Sequence, residues 1–128
     1  MNKAEYDKLV EEFQSKGYRR WNNTFNYADY YWGKSFHKED NSFDDEGRPG
    51  YQLLIYVYNY SDKNYPRLIP EQKDHVGLEA VIMVSRTIDE RIDLTLSWSD
   101  KSTIESIEEA AEAFYQWACT YWPTPREF

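Results

Sequence analysis

Residues 76–99 read VGLEAVIMVSRTIDERIDLTLSWS. Two runs in this stretch alternate with period two. In the first, Val76, Leu78, Ala80, Ile82 and Val84 fall on one side, and Gly77, Glu79, Val81, Met83 and Ser85 on the other. In the second, Ile92, Leu94, Leu96 and Trp98 alternate with Arg91, Asp93, Thr95 and Ser97. Such alternation marks strands with one buried face. Only Thr87 to Glu90 separates the two runs, so they read as an antiparallel hairpin. A turn there sets Glu79 opposite Ser97 or Ser99, and Asp93 opposite Met83 or Ser85.

The same pattern extends towards the N-terminus. Residues 28–38 place Ala28, Tyr30, Trp32, Lys34 and Phe36 against Asp29, Tyr31, Gly33, Ser35 and His37. Residues 51–60 place Tyr51, Leu53, Ile55 and Val57 against Leu54, Tyr56, Tyr58 and Tyr60. A weaker aromatic and polar strand is predicted over 18–25. Helices bracket the strands. Over 3–16, Tyr6, Leu9, Val10 and Phe13 share one face, Asn2 with Glu5 suits an N-cap, and Gly17 suits the stop. Over 103–122, Ile104, Ile107, Ala111, Phe114, Tyr115 and Ala118 share a face, Ser102 with Glu105 reads as a capping box, and Pro123 ends the helix. With strands over 76–86 and 91–99, the predicted fold is a two-layer α+β domain. A five-stranded, mainly antiparallel sheet carries the N- and C-terminal helices on one face.

At 128 residues the chain has room for one domain. Fifteen Lys and Arg stand against 23 Asp and Glu, a net charge of −8, and 18% of residues are aromatic, 12 of them Tyr. That composition excludes a disordered chain and indiscriminate phosphate binding. Residues 65–128 hold six basic and twelve acidic residues, so most of the acidity lies there. Charges recur through the first dozen residues, where a secretory signal needs an apolar run. The longest apolar stretches, Leu53–Tyr58 and Ala80–Val84, fall far short of the ~20 residues that span a bilayer. The sequence-based expectation is a cytoplasmic protein without membrane association.

Two surfaces stand out. The sheet face turned away from the helices is unusually rich in tyrosine, which offers apolar area with a polar tip and suits interfaces. Together with the long connection at 61–75, it nominates Tyr31, Tyr56, Tyr58, Tyr60, Tyr65 and Arg67 as partner-binding residues. The expected role is a non-catalytic protein-binding or accessory module, with self-association as one use of that face. The second surface is the glutamate stripe Glu105, Glu108, Glu109 and Glu112, in a stretch from Ser102 to Pro125 without Lys or Arg. It nominates an acidic inhibitor, or a mimic of nucleic-acid charge, of the kind phages and bacteria deploy against basic proteins. Stacking of single-stranded nucleic acid on the tyrosines is a third reading, against which the net charge of −8 weighs.

Catalytic chemistry finds no support. Glu79 and Asp93 sit too far apart along the hairpin for a glycosidase pair, which needs about 5–9.5 Å. The acidic loop Glu39–Gly50 has Gly47 at the place of the EF-hand glycine, but Ser42 and Leu53 stand where acids are needed. His37 and His75 are the only histidines, and neither has a companion at ligand spacing. Cys119, set beside Ala118 in the last helix, reads as a buried small hydrophobe. No phosphate loop, nucleophile elbow or H-E-x-x-H motif occurs. No enzyme activity, cofactor or metal is therefore expected.

Overall fold

The computed structural model describes residues 1–22, 28–37, 50–59, 75–87 and 90–121. Helix α1 (Lys3–Ser15) precedes strands β1 (Arg19–Asn22), β2 (Tyr30–Phe36), β3 (Tyr51–Asn59), β4 (Val76–Thr87) and β5 (Glu90–Ser97), and helix α2 (Ile104–Tyr121) follows. The strands form one antiparallel sheet in sequence order, β1-β2-β3-β4-β5. The α+β architecture is the one the alternation predicts; β4 runs one residue further than expected and β5 starts one residue earlier, and residues 23–25, 38 and 60 of the predicted strands lie outside the described residues. Asp29 still donates its N–H to the Val57 carbonyl at 2.9 Å, but the β2 ladder begins at Tyr30. Trp98 and Ser99 leave the β5 ladder because Ser99 turns the chain, its carbonyl accepting from the Ser102 N–H at 3.0 Å.

The hairpin register sets Glu79 opposite Ser97 and Met83 opposite Asp93. Tyr51, Leu53, Ile55 and Val57 then align with Val84, Ile82, Ala80 and Leu78, all buried beneath the helices. Helix α1 closes the core through Phe13. Its ring lies parallel to Trp32 at 5.7 Å and tilts against Tyr18 at 5.2 Å, with the edge of Trp98 at 6.4 Å. Beside it, Tyr6 Oη accepts from the buried Trp32 Nε1–H at 2.9 Å and shares a 2.6 Å hydrogen bond with Tyr30 Oη. Tyr6→Phe would orphan the indole donor. An unsatisfied buried donor costs about 1–3 kcal/mol, so urea denaturation should show a loss of that size.

Local signals at the helix ends explain where each begins and stops. Asn2 Oδ1 accepts the Glu5 N–H at 2.9 Å, as expected of an N-cap. Gly17 sits at φ +89°, the left-handed geometry that ends a helix. A Cβ there would meet nothing within 4 Å, so Gly17→Ala should cost only the backbone penalty of about 1 kcal/mol, measurable by thermal denaturation. At α2 the capping box lies one residue later than expected. Thr103 Oγ1 accepts the Ser106 N–H at 3.0 Å, and Ser106 Oγ accepts the Thr103 N–H at 2.9 Å. Ser102 is instead held by the Ser99 turn, where its Oγ accepts the Ser99 N–H.

Candidate functional site

The register assembles the second sheet face in rows. Trp21 lies opposite Tyr31, Tyr31 opposite Tyr56, Tyr56 opposite Glu79, and Glu79 opposite Ser97. Directly opposed residues in an antiparallel pair share a face. One row therefore runs across all five strands, with three adjacent aromatic residues at its β1 end. The rings of Tyr31 and Tyr56 meet at 5.4 Å and 53°. Arg19 Cζ lies 5.7 Å from the Trp21 ring centre, which adds a cation to the aromatic end. The next row runs through Arg19, Gly33, Leu54, Val81 and Thr95, with Gly33 and Leu54 buried.

Trp21, Tyr31, Tyr56 and Tyr58 are all half-buried. Loss of water raises the phenol pKa of Tyr31 and of Tyr56, and for Tyr56 the charges of Asp93 and Glu79 act in the same direction. Both phenols therefore stay neutral donors and acceptors at physiological pH. Tyr58, two residues beyond Tyr56, lines a groove of about 750 Å³ at the end of the sheet, together with Glu5, Glu79, Trp98 and Asp100. The sequence-nominated Tyr31, Tyr56 and Tyr58 thus share one face and one strand end. Tyr60, Tyr65 and Arg67 lie outside the described residues, as does the acidic loop at 39–49. Trp21 was not nominated. Its signal was its place in the weak 18–25 strand, whose pairing with β2 brings it to the same row.

The glutamate stripe has a different setting. Glu105 pairs with Lys16 Nζ at 3.1 Å, Glu108 Oε1 accepts from Tyr18 Oη at 2.9 Å, and Glu112 meets His37 Nε2 at 2.5 and 3.0 Å. Three of the four carboxylates therefore fasten α2 to the chain around β1 and β2, while Glu109 stays exposed. Its own backbone N–H and then Lys16 lower the Glu105 carboxyl pKa, and the same contact raises the Lys16 ammonium. The Lys16 side chain is 32% and that of Glu105 59% exposed, so this surface pair adds little stability.

His37 departs from the expected alternation. Its φ of +59° turns the chain out of the β2 pleat, so the ring leaves the tyrosine face and stacks on Tyr115 of α2 at 4.9 Å and 20°. Cys119 also departs. Its neighbour Ala118 takes the buried position, and the 100° step between helix residues turns Cys119 outwards into exposure. His75 bridges to Asn2, at the α1 start, so the two histidines serve different parts of the fold. Among the described residues, no three His, Cys, Asp or Glu side chains gather as metal ligands, and no helix is long and apolar enough to cross a membrane.

Sequence reading placed Phe114 on the apolar face of the last helix but missed its exposed neighbours Trp117 and Tyr121. Phe114 stacks on Trp117 at 5.9 Å, and Trp117 meets Tyr121 at 6.2 Å, with Trp117 51% and Tyr121 69% exposed. The i, i+3, i+7 spacing was the available signal. Compared with protein-family models, curated proteins and solved structures, the chain matches none.

Proposed function

We propose that this chain is a non-catalytic protein-binding module whose contact surface is the tyrosine-rich sheet face, centred on Trp21, Tyr31 and Tyr56. The observation that carries the reading is the shared row. Three half-buried aromatic residues stand side by side on one sheet face, with Glu79 next in line. Clustered Tyr and Trp on an ordered scaffold lose little conformational entropy on binding and dominate interface energetics. Arg19 and Glu79 flank the aromatic centre with opposite charges, which suits a polar rim.

The acidic-mimic reading is less well supported, because Lys16, Tyr18 and His37 engage three of its four carboxylates. A photo-crosslinking amino acid placed at Tyr56 or at Glu109, expressed in the native host, separates the two. Adducts to a host protein should form from position 56. Adducts from position 109 alone would overturn the sheet-face reading and favour the acidic one.

A further inference from the structure

The groove at the end of the sheet has a volume of about 750 Å³. Binding clefts run from roughly 300 to 1,000 Å³, so it has room for a long side chain and the backbone that carries it. Its lining comes from both faces of the sheet. Leu9 of α1, with Val76 and Leu78 of β4, supplies apolar wall from the helix side. Tyr58 of β3 and Glu79 of β4 belong to the tyrosine side. Glu79 is also the next member of the aromatic row, opposite Tyr56. The groove is therefore continuous with the surface centred on Trp21, Tyr31 and Tyr56.

Its charge is one-sided. Three carboxylates line it, Glu5 from α1, Glu79 from β4 and Asp100 from the turn after β5. They differ from the α2 glutamates, three of which Lys16, Tyr18 and His37 engage. Among the described residues, no ion pair or side-chain hydrogen bond holds Glu5, Glu79 or Asp100. The one cation among the described lining residues is the Met1 ammonium, which donates to the Val76 carbonyl at 3.0 Å. Converging like charges repel, and a cation arriving from outside relieves that repulsion. The half-buried Trp98 stands in the same wall, and an indole face attracts a cation within about 6 Å.

We propose that the protein bound by the tyrosine face presents an arginine that enters this groove, its guanidinium received by Glu5, Glu79 and Asp100 and lying against Trp98. Arginine meets these demands better than lysine. Its guanidinium is planar, stacks on aromatic rings and directs five donors in a fixed fork, which suits carboxylates from several elements. A lysine ammonium is a compact point charge with three donors and a tightly held hydration shell. A positive group is also the natural complement to an acidic chain of net charge −8. This inference rests on the sheet-face reading and adds the chemistry of the partner. The contact segment carries a basic residue at the end that reaches past Tyr56 to Tyr58.

The groove can be tested before the partner is in hand. The isotope-labelled chain would be titrated with N-acetyl-arginine amide and, in parallel, with its uncharged isostere N-acetyl-citrulline amide. The arginine probe should shift the Trp98 indole N–H and the Glu79 and Asp100 amide resonances saturably, and the citrulline probe should not. Glu79→Gln/Asp100→Asn should weaken binding of the arginine probe about tenfold or more, the scale of a lost charge-assisted hydrogen bond. The host protein crosslinked from position 56 should bind the same variant at least about tenfold more weakly than the unaltered chain. If the variant unfolds, the paired probes on the unaltered chain still decide. Failure of the arginine probe to bind, or equal shifts from the citrulline probe, overturns the proposal and leaves the sheet-face reading standing. So does unchanged affinity of the crosslinked protein for the variant. Absence of adducts from position 56 overturns the sheet-face reading itself, and the partner's arginine with it.

Discussion

Phe13→Ala should lower the unfolding free energy by about 3–5 kcal/mol in urea or guanidinium titration, the range for truncating a buried aromatic ring. Phe13 is fully buried, and its three ring neighbours come from three parts of the chain. Trp32 belongs to β2, Tyr18 leads into β1 and Trp98 follows β5. Removing the ring leaves large, rigid indoles and a phenol around a void they cannot refill from their own rotamers. A domain of this size typically has 5–15 kcal/mol of stability, so the variant should sit close to unfolding. Phe13→Leu should recover much of the loss by filling volume. A change below about 1 kcal/mol for Phe13→Ala would mean that α1 does not close the core.

Alkaline pH should unfold the protein cooperatively. Burial raises the phenol pKa values of Tyr6, Tyr18 and Tyr51 well above the ordinary value of 10.0. The charge of Glu108 pushes Tyr18 further in the same direction, and Glu112 and Glu108 do so for Tyr51. A raised folded pKa means that the folded state holds its proton longer than the unfolded chain. The stabilisation is complete below pH 10 and is lost as pH rises towards the folded values. Each such phenol removes about 1.4 kcal/mol per pH unit above that point, so three remove roughly 4 kcal/mol per unit. Tyrosinate absorbance should therefore rise in two phases. Exposed phenols titrate first, and the second phase should coincide with loss of the far-ultraviolet circular dichroism. Tyr18→Phe should shift that second phase to higher pH. A single early phase with the dichroism intact would contradict the burial of these three side chains.

The features legible in the sequence are those fixed by chain neighbours. Period-two alternation placed the apolar faces of β2 to β5, and the short turn narrowed the partner of Glu79 to Ser97 or Ser99, of which the structure has Ser97. Asn2 and Gly17 announced the ends of α1 because capping is settled within a few residues. The departures depend on contacts across the fold. His37 itself takes the left-handed conformation and leaves its alternation, stabilised by Tyr115 and by Glu112, the latter 75 positions away. Cys119 is exposed because the rotation of α2 against β3 and β4 gives the core to Ala118. The partners of Glu105, Glu108 and Glu112 follow from which flank of α2 faces β1 and β2, which helical periodicity does not encode. The aromatic row is an intermediate case. Tyr31 and Tyr56 were visible as faces of strong strands, and Trp21 joined them only through the β1–β2 register.

The sheet-face reading meets its most direct test in a calorimetric titration. The host protein crosslinked from position 56, once purified, would be titrated with the unaltered chain, with Tyr31→Ser/Tyr56→Ser and with Glu108→Gln/Glu109→Gln. Two interface anchors worth about 1.4 kcal/mol or more each predict a Kd weakened at least about a hundredfold for the tyrosine variant. The glutamate variant should bind as the unaltered chain does. Unchanged affinity for the tyrosine variant, with its melting temperature preserved and binding lost in the glutamate variant, would contradict the account.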